Sequence, residues 1–490
     1  MVVPVAGPRM RADQGGNAVP IALRSRVPVR RRWKVKPYAA AVLLLTLTVS
    51  CTAVSSEITG PGGQANSWGP DLATKGYVEH EFRLSGVASS FAPVGPLGSD
   101  GRWRVKRAST AGYTTRYFVR RPADPAKFNG TVVVEWLNVS AGFDIEATFL
   151  QSHDEMFRRG YAYVGVSVQK RGVDALRASS ADRYGILSHP GDAYSYDMFT
   201  QAARALRGGK GVDPLGGLRP RRLIAAGESQ SAARMVTYIN AVNPRAHAFD
   251  GFFVFSRLAS AAPLNDTTAS PPAPLMRADG PEPILDLQTE GDLVVLRSHT
   301  ARQPDSRHFR LWEVAGGSHA DEHTLSRTSP PQPTTPGQLC SYRLNSNRTY
   351  LVVEAAIRAL RRWVNGGSPP AHAPRLVLGD PAATDPLVRD RFGLARGGIR
   401  LPQIDVPTAV VSGIANPPAP GSPELFRKFC ALFGRTTPLT AAQLATLYPN
   451  HRSYVEPFIE ATERLYDRGF LLGPDARALV REARQSGIGR

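Results

Sequence analysis

Leu223-Ile224-Ala225-Ala226-Gly227-Glu228-Ser229-Gln230-Ser231-Ala232-Ala233-Arg234-Met235 joins a short apolar run to a helix-like segment through a Gly-x-Ser-x-small turn. The run reads as a buried parallel strand, and the residues after the turn have helical spacing. A serine on so sharp a strand-to-helix turn is lifted clear of the sheet edge, the layout of a nucleophile elbow, which points to acyl transfer. Gly227 leaves room for a strained backbone, and Ser231 must be small for the same reason. Gln230 sits at the helix N-terminus, where its backbone N–H can face a developing oxyanion. The spacing alone is weak, since composition would produce roughly 0.2 such matches in a chain this long. A serine that merely caps a helix is the alternative.

Partners for Ser229 are sought after later strands, in the order serine, acid, histidine. Pro283 to Gln288 reads as a strand, and Thr289-Glu290-Gly291-Asp292 follows it. A carboxylate just beyond a strand end is well placed for a catalytic acid; Asp292 is the first choice and Glu290 the alternative. After the next strand, Phe309 to Val314, comes Gly316-Gly317-Ser318-His319-Ala320-Asp321. A loop presenting His319 there suits a general base that must reach both serine and acid. His189, His308 and His323 read as structural or pocket-lining. His319-Ala320-Asp321-Glu322-His323 also fits an inverted zincin signature, which would make the chain a zinc hydrolase. Two glycines before it and the lack of an apolar helix around it weaken that reading. No metal or other cofactor is expected.

Working outward, the apolar runs Thr131 to Asn138, Tyr161 to Val168, Leu223 to Ala226, Gly251 to Phe255, Ile284 to Leu287 and Phe309 to Val314 read as strands. Tyr77 to Ser85 and Tyr113 to Arg120 alternate like half-exposed antiparallel strands. Helices are expected at Ile145 to Arg159, Tyr196 to Leu206, after Ser229, and at Thr349 to Val364. This alternation predicts an α/β fold: a mostly parallel eight-stranded sheet with helices on both faces, as in α/β-hydrolases. The expected organisation is a leader over 1–50, a flexible tether over 51–75, the α/β domain over 76–415, and a helical C-terminal extension over 416–490 packed on it.

The 490 residues are 42% hydrophobic, enough for a full core, and carry a formal charge of +19. Nine Lys/Arg against one acidic residue fall in the first 50, leaving an excess of 11 over the remainder. That remainder is scattered, with no basic stripe interleaved with aromatics, so nucleic acid is not an expected partner. Arg30-Arg31-Arg32-Trp33-Lys34-Val35-Lys36 followed by the apolar run Tyr38 to Ser50 reads as a signal for export. Met10 is an alternative start. Thr48-Val49-Ser50-Cys51 resembles a bacterial lipobox, with Thr48 where leucine is usual; Cys51 is then a lipidation site anchoring a cell-envelope lipoprotein, the alternative being simple secretion. With Cys51 lipidated, Cys340 and Cys430 remain as an even pair. In an oxidising compartment they suit a disulfide, with two free thiols as the alternative.

Val134-Glu135-Trp136-Leu137-Asn138-Val139-Ser140, Tyr184 to Asp197, Leu287 to Asp292, and Leu447-Tyr448-Pro449-Asn450-His451 together resemble a poorly characterised group of bacterial α/β-hydrolase-domain proteins. The resemblance runs from Gly76 to the C-terminus. It implies a serine esterase acting on a small-molecule ester, supports Ser229 and His319, and implies nothing about the acyl group. Ser231 replaces the second glycine of the usual elbow. Asn138-Val139-Ser140-Ala141-Gly142 stands where lipases have a Gly-rich oxyanion loop, so the expected oxyanion donors are Gln230 and a backbone N–H at Val139 or Ser140. Asn138, Tyr184, His189 and Tyr194 are the candidate pocket residues, with Tyr184 to Asp197 as a wall, a lid or an ordinary surface loop. Pro330 to Pro336 and Ser270 to Pro283 are Pro-rich excursions that could shape access. The rival from another class is a lipid-anchored ligand-binding protein on an inactive scaffold.

Overall fold

The computed structural model describes residues 52–59, 71–328 and 337–490. The basic leader, Cys51, residues 60–70 of the tether and Pro330 to Pro336 lie outside them. The strands are β1 (Ala53–Glu57), β2 (Tyr77–Pro93), β3 (Val105–Pro122), β4 (Thr131–Trp136), β5 (Ala162–Val166), β6 (Lys210–Gly211), β7 (Arg222–Glu228), β8 (Gly251–Phe255), β9 (Ile284–Thr289), β10 (Phe309–Val314), β11 (Ala409–Ser412) and β12 (Arg435–Pro438). The main sheet runs β10-β9-β8-β7-β4-β5-β3-β2-β1-β6. From β5 to β10 neighbours are parallel, and β3, β2 and β1 continue antiparallel.

The sheet has ten strands among the described residues, not the expected eight. One extra strand corrects the tether: Ala53–Glu57 pairs antiparallel with β2 and buries Val54 completely. Its small and polar residues carry little apolar signal, so pairing to an available edge decides its conformation. The other is the two-residue β6, held on β1. β2 and β3 also run to 17 and 18 residues, well beyond the alternating stretches read from sequence. β3 is not half-exposed as expected: Arg116 and Arg120 are buried, Arg116 against Glu81 and Asp144, Arg120 against Glu79 and Glu146. These carboxylates neutralise two cations that would otherwise be costly to desolvate.

Alternation along the central strands divides the core. Val132, Val134 and Trp136 of β4 face helices Ser195–Leu206 and Gln230–Thr237, where Trp136 packs 5.1 Å from Phe199. Val133 faces the other way, with Ile224 and Phe253, onto helices Ala147–Arg159 and Thr349–Val364. That second core continues into the C-terminal helices His451–Asp467 and Gly473–Gln485 through Tyr454, Phe458, Leu465 and Leu479. Each such side chain contributes about 1.5–3 kcal/mol when fully buried. Arg158 ties the same helices together, reaching Glu354 at 2.5 Å and Asp475 at 3.0 Å. The expected break at residue 415 is bridged, because β11 pairs antiparallel with β12 across it. No helix among the described residues is long and apolar enough to cross a membrane.

Candidate active site

β7 ends at Glu228, and the chain turns at Ser229 with φ 57° and ψ −117°. A non-glycine residue held there is strained, and the surroundings fix it. The Ser229 N–H donates to Phe255 O at 3.0 Å, while Ala233 N–H donates to Ser229 O at 3.1 Å. A Cβ on Gly227 would lie 2.9 Å from Ser231 O, so only glycine fits beneath the turn. Ser231, which departs from the usual elbow, is buried and staples it: its Oγ accepts from Glu228 N–H at 3.0 Å and donates to Glu228 O at 2.8 Å.

Beyond β9, Thr289 and Asp292 form a reciprocal cap. Asp292 N–H donates to Thr289 Oγ1 at 3.2 Å, and Thr289 N–H donates to Asp292 Oδ2 at 2.7 Å. This leaves Oδ1 free to face the loop after β10. There the Gly317 carbonyl accepts from Gly291 N–H at 3.0 Å, and a Cβ on Gly317 would lie 2.9 Å from Thr349 Oγ1. The close approach brings His319 over the strand ends. Its Nδ1 is 2.6 Å from Asp292 Oδ1 and its Nε2 is 2.8 Å from Ser229 Oγ. With Nδ1–H donating to the carboxylate, Nε2 accepts from the serine hydroxyl. Burial opposes charge on the His319 ring, yet Glu228 and Asp292 leave its pKa above the ordinary imidazole value.

Glu290 does not reach the histidine. Its carboxylate accepts from Gly316 N–H at 2.9 Å, Gly413 N–H at 3.1 Å and Arg389 at 2.9 Å, clamping the loop behind the site. His319 and His323 do not form the pair that a zinc site needs. His319 precedes the short helix Glu322–Leu325 and is engaged with Ser229 and Asp292. His323 donates from Nε2 to Leu150 O at 3.2 Å and stacks 3.9 Å from Tyr350.

Of the expected oxyanion donors, Ser140 is corrected: its N–H donates to Asn138 Oδ1 at 2.7 Å. The Asn138 side chain closes this turn on itself. Among the described residues the Val139 N–H has no partner, and Gln230 N–H opens its helix without an in-helix acceptor. Asn138 Nδ2 donates to Glu228 O at 3.0 Å, tying the Val139 loop to the elbow. Tyr184 is no pocket residue: it is 1% exposed and its hydroxyl donates to Glu81 Oε1 at 3.0 Å. His189 bonds Val168 O at 2.9 Å and Tyr194 Oη meets Ser109 Oγ at 2.9 Å, so neither bonds Ser229, His319 or Asp292. Their loop is stapled to the elbow helix by Arg234 and Asp192 at 2.9 Å. Cys340 and Cys430 are joined in a disulfide.

One residue escaped the sequence reading. Glu228 Oε1 is 3.4 Å from His319 Nε2, and burial pushes its carboxyl up to about 7, with Asp292 adding to the shift. The only sequence signal was its place between Gly227 and Ser229, a position the elbow pattern leaves open.

A family model described as alpha/beta hydrolase domain matches residues 48–481. No curated protein matches the chain. Among solved structures, one of two fungal esterases from Rhizomucor miehei is 11% identical, with 57% of this chain and 85% of that one covered and a TM-score of 0.31. Esterase Est22 is 12% identical, with 40% and 50% covered and a TM-score of 0.25.

Proposed function

The chain belongs to the alpha/beta hydrolase domain family, and on that premise we propose that it is a serine hydrolase of carboxylic esters working through an acyl-enzyme. The observation that carries this reading is the unbroken chain Ser229 Oγ, His319 Nε2, His319 Nδ1, Asp292 Oδ1, with contacts of 2.8 and 2.6 Å. His319 Nε2 removes the Ser229 hydroxyl proton as Oγ attacks the ester carbonyl. The carbonyl electron pair moves onto oxygen, where the N–H groups of Gln230 and Val139 receive it. The imidazolium then gives its proton to the leaving alcohol oxygen as the C–O bond breaks. Water, deprotonated by the same nitrogen, releases the acid and restores Ser229. Asp292 holds the ring in the tautomer that each step needs.

Export belongs to the same reading, with Cys51 lipidated or the chain secreted after cleavage. It rests on the basic-then-apolar leader, and the Cys340–Cys430 disulfide supports an oxidising compartment. The test of the catalytic reading is a fluorophosphonate label and a p-nitrophenyl ester panel, applied to the unsubstituted protein and to Ser229→Ala. Label on Ser229, with turnover lost in a folded S229A, is the expected result. Turnover retained by S229A overturns it, and an unlabelled protein that retains a ligand tightly favours a binding protein.

A further inference from the structure

The His319 ring lies between two carboxylates. Asp292 meets Nδ1 at 2.6 Å, while Glu228 Oε1 stands 3.4 Å from Nε2, the nitrogen that also meets Ser229 Oγ at 2.8 Å. Glu228 is held in this place from three sides. Its backbone N–H and carbonyl are stapled by Ser231 Oγ, and its Oε2 accepts from Asn138 Nδ2 at 3.2 Å. Asn138 is in turn fixed by Ser140 N–H at 2.7 Å, on the loop carrying Val139. The carboxyl therefore moves only with the elbow and the Val139 loop.

Its surroundings make it incomplete as a structural group. Only 9% of the side chain is exposed, and among the described residues no Lys or Arg forms an ion pair with it. The charged groups facing it are His319 and, behind the ring, Asp292, a like charge; Asn138 is neutral. A buried carboxylate with one amide donor is unfavourable unless a cation joins it. The cation within reach is the imidazolium that forms when Ser229 loses its proton.

We propose that Glu228 is the counter-ion of the His319 imidazolium on its Nε2 side, strengthening His319 as the base in acylation and deacylation. This rests on the reading of Ser229 as nucleophile. Through the cycle Glu228 takes no proton: the Oγ–H bond breaks as Nε2–H forms, and that proton passes on to the leaving oxygen. Consistent with this, Glu228 is the largest cause raising the His319 pKa against burial. Because two acids then share one base, the ring and the carboxyl titrate as a coupled set.

The test is Glu228→Gln, which keeps an acceptor for Asn138 and removes the charge. The first measurement is the pH titration of the His319 ring protons by NMR, which reads the imidazole whether or not any ester is turned over. The midpoint is expected to fall by about one pH unit. In ester hydrolysis, kcat should fall roughly tenfold on the alkaline plateau with KM unchanged. The deficit should narrow as pH drops, because the weaker base stays neutral to lower pH; a purely structural role would not move this limb. Glu228→Asp keeps the charge but withdraws it by one methylene, so its midpoint should fall by less, and it serves where E228Q does not fold. A His319 midpoint unmoved or raised in the folded variant overturns the proposal. Turnover retained by S229A would overturn the nucleophile assignment instead.

Discussion

Asp292 meets His319 with one oxygen only: Oδ1 lies 2.6 Å from Nδ1, while Oδ2 accepts from Thr289 N–H at 2.7 Å. The carboxylate is thus oriented by its own helix start before it orients the imidazole. Asp292→Asn would keep the Thr289 bond through the amide oxygen but turn an NH2 group toward Nδ1. The ring would then favour the tautomer protonated at Nε2, which cannot accept the serine proton. We expect kcat to fall about 10³- to 10⁴-fold with little change in KM. Glu290→Gln should leave kcat within the same order of magnitude and lower stability by about 1–3 kcal/mol, since Gly316 N–H, Gly413 N–H and Arg389 lose a full carboxylate. Steady-state kinetics and urea melts on both variants separate the two acids; a larger kinetic defect in E290Q would reverse their roles.

The buried hydroxyl of Ser231 accounts for its departure from the usual glycine. It takes the N–H and gives to the carbonyl of Glu228, bracing the turn whose strain sits at Ser229. Ser231→Gly loses both bonds and loosens the first helical turn, a cost of about 1–2 kcal/mol. Fluorophosphonate labelling of Ser229 should survive, at a lower rate. A variant as stable as the original in chemical denaturation would show that the staple contributes nothing.

Burial, with Arg327 and His153 acting in the same direction, pushes the His323 ring down to about 3. The unfolded chain binds a proton at this ring near the ordinary value of 6.5, and the folded chain does not until about 3. Stability from this residue is therefore full above the unfolded value and is lost as pH falls through that window, by up to about 1.4 kcal/mol per pH unit. His323→Phe keeps a ring on Tyr350 and removes the titration, so its denaturation midpoint should depend less steeply on pH between 7 and about 4. Parallel pH curves for the two proteins would refute this account.

Ser229, Asp292 and His319 were legible as companions because each follows a strand with a strong apolar run, and chain order then restricts the choice. The central strands were legible for the same reason: Thr131–Trp136 and Gly251–Phe255 are buried on both faces. What could not be read depended on pairing rather than on pattern. Ala53–Glu57 becomes a strand only because β2 offers an edge. Tyr184 looked like a pocket aromatic until Glu81, a hundred residues away in sequence, took its hydroxyl. Ser140 was a plausible oxyanion donor until Asn138 claimed its N–H. Glu228 occupies a position that any residue can fill, and its approach to His319 exists only once β7 and β10 are placed.

The disulfide between Cys340 and Cys430 closes a loop of sequence separation 90. By chain entropy such a loop contributes about 4–5 kcal/mol. Its location gives it a second consequence. Cys430 opens the short helix Cys430–Phe433, and Leu432 O in that helix accepts from Ala320 N–H at 3.3 Å, one residue beyond His319. Releasing the bond frees the support of the loop that aims the imidazole, while the proposed oxyanion donors at Gln230 and Val139 sit on other elements. The double variant Cys340→Ser with Cys430→Ser should therefore melt at lower temperature and lose kcat more than it gains KM. Dithiothreitol should bring the unsubstituted protein to the same values and leave the variant unchanged. If reduction lowers the melting temperature but leaves kcat intact, the His319 loop is held without the disulfide.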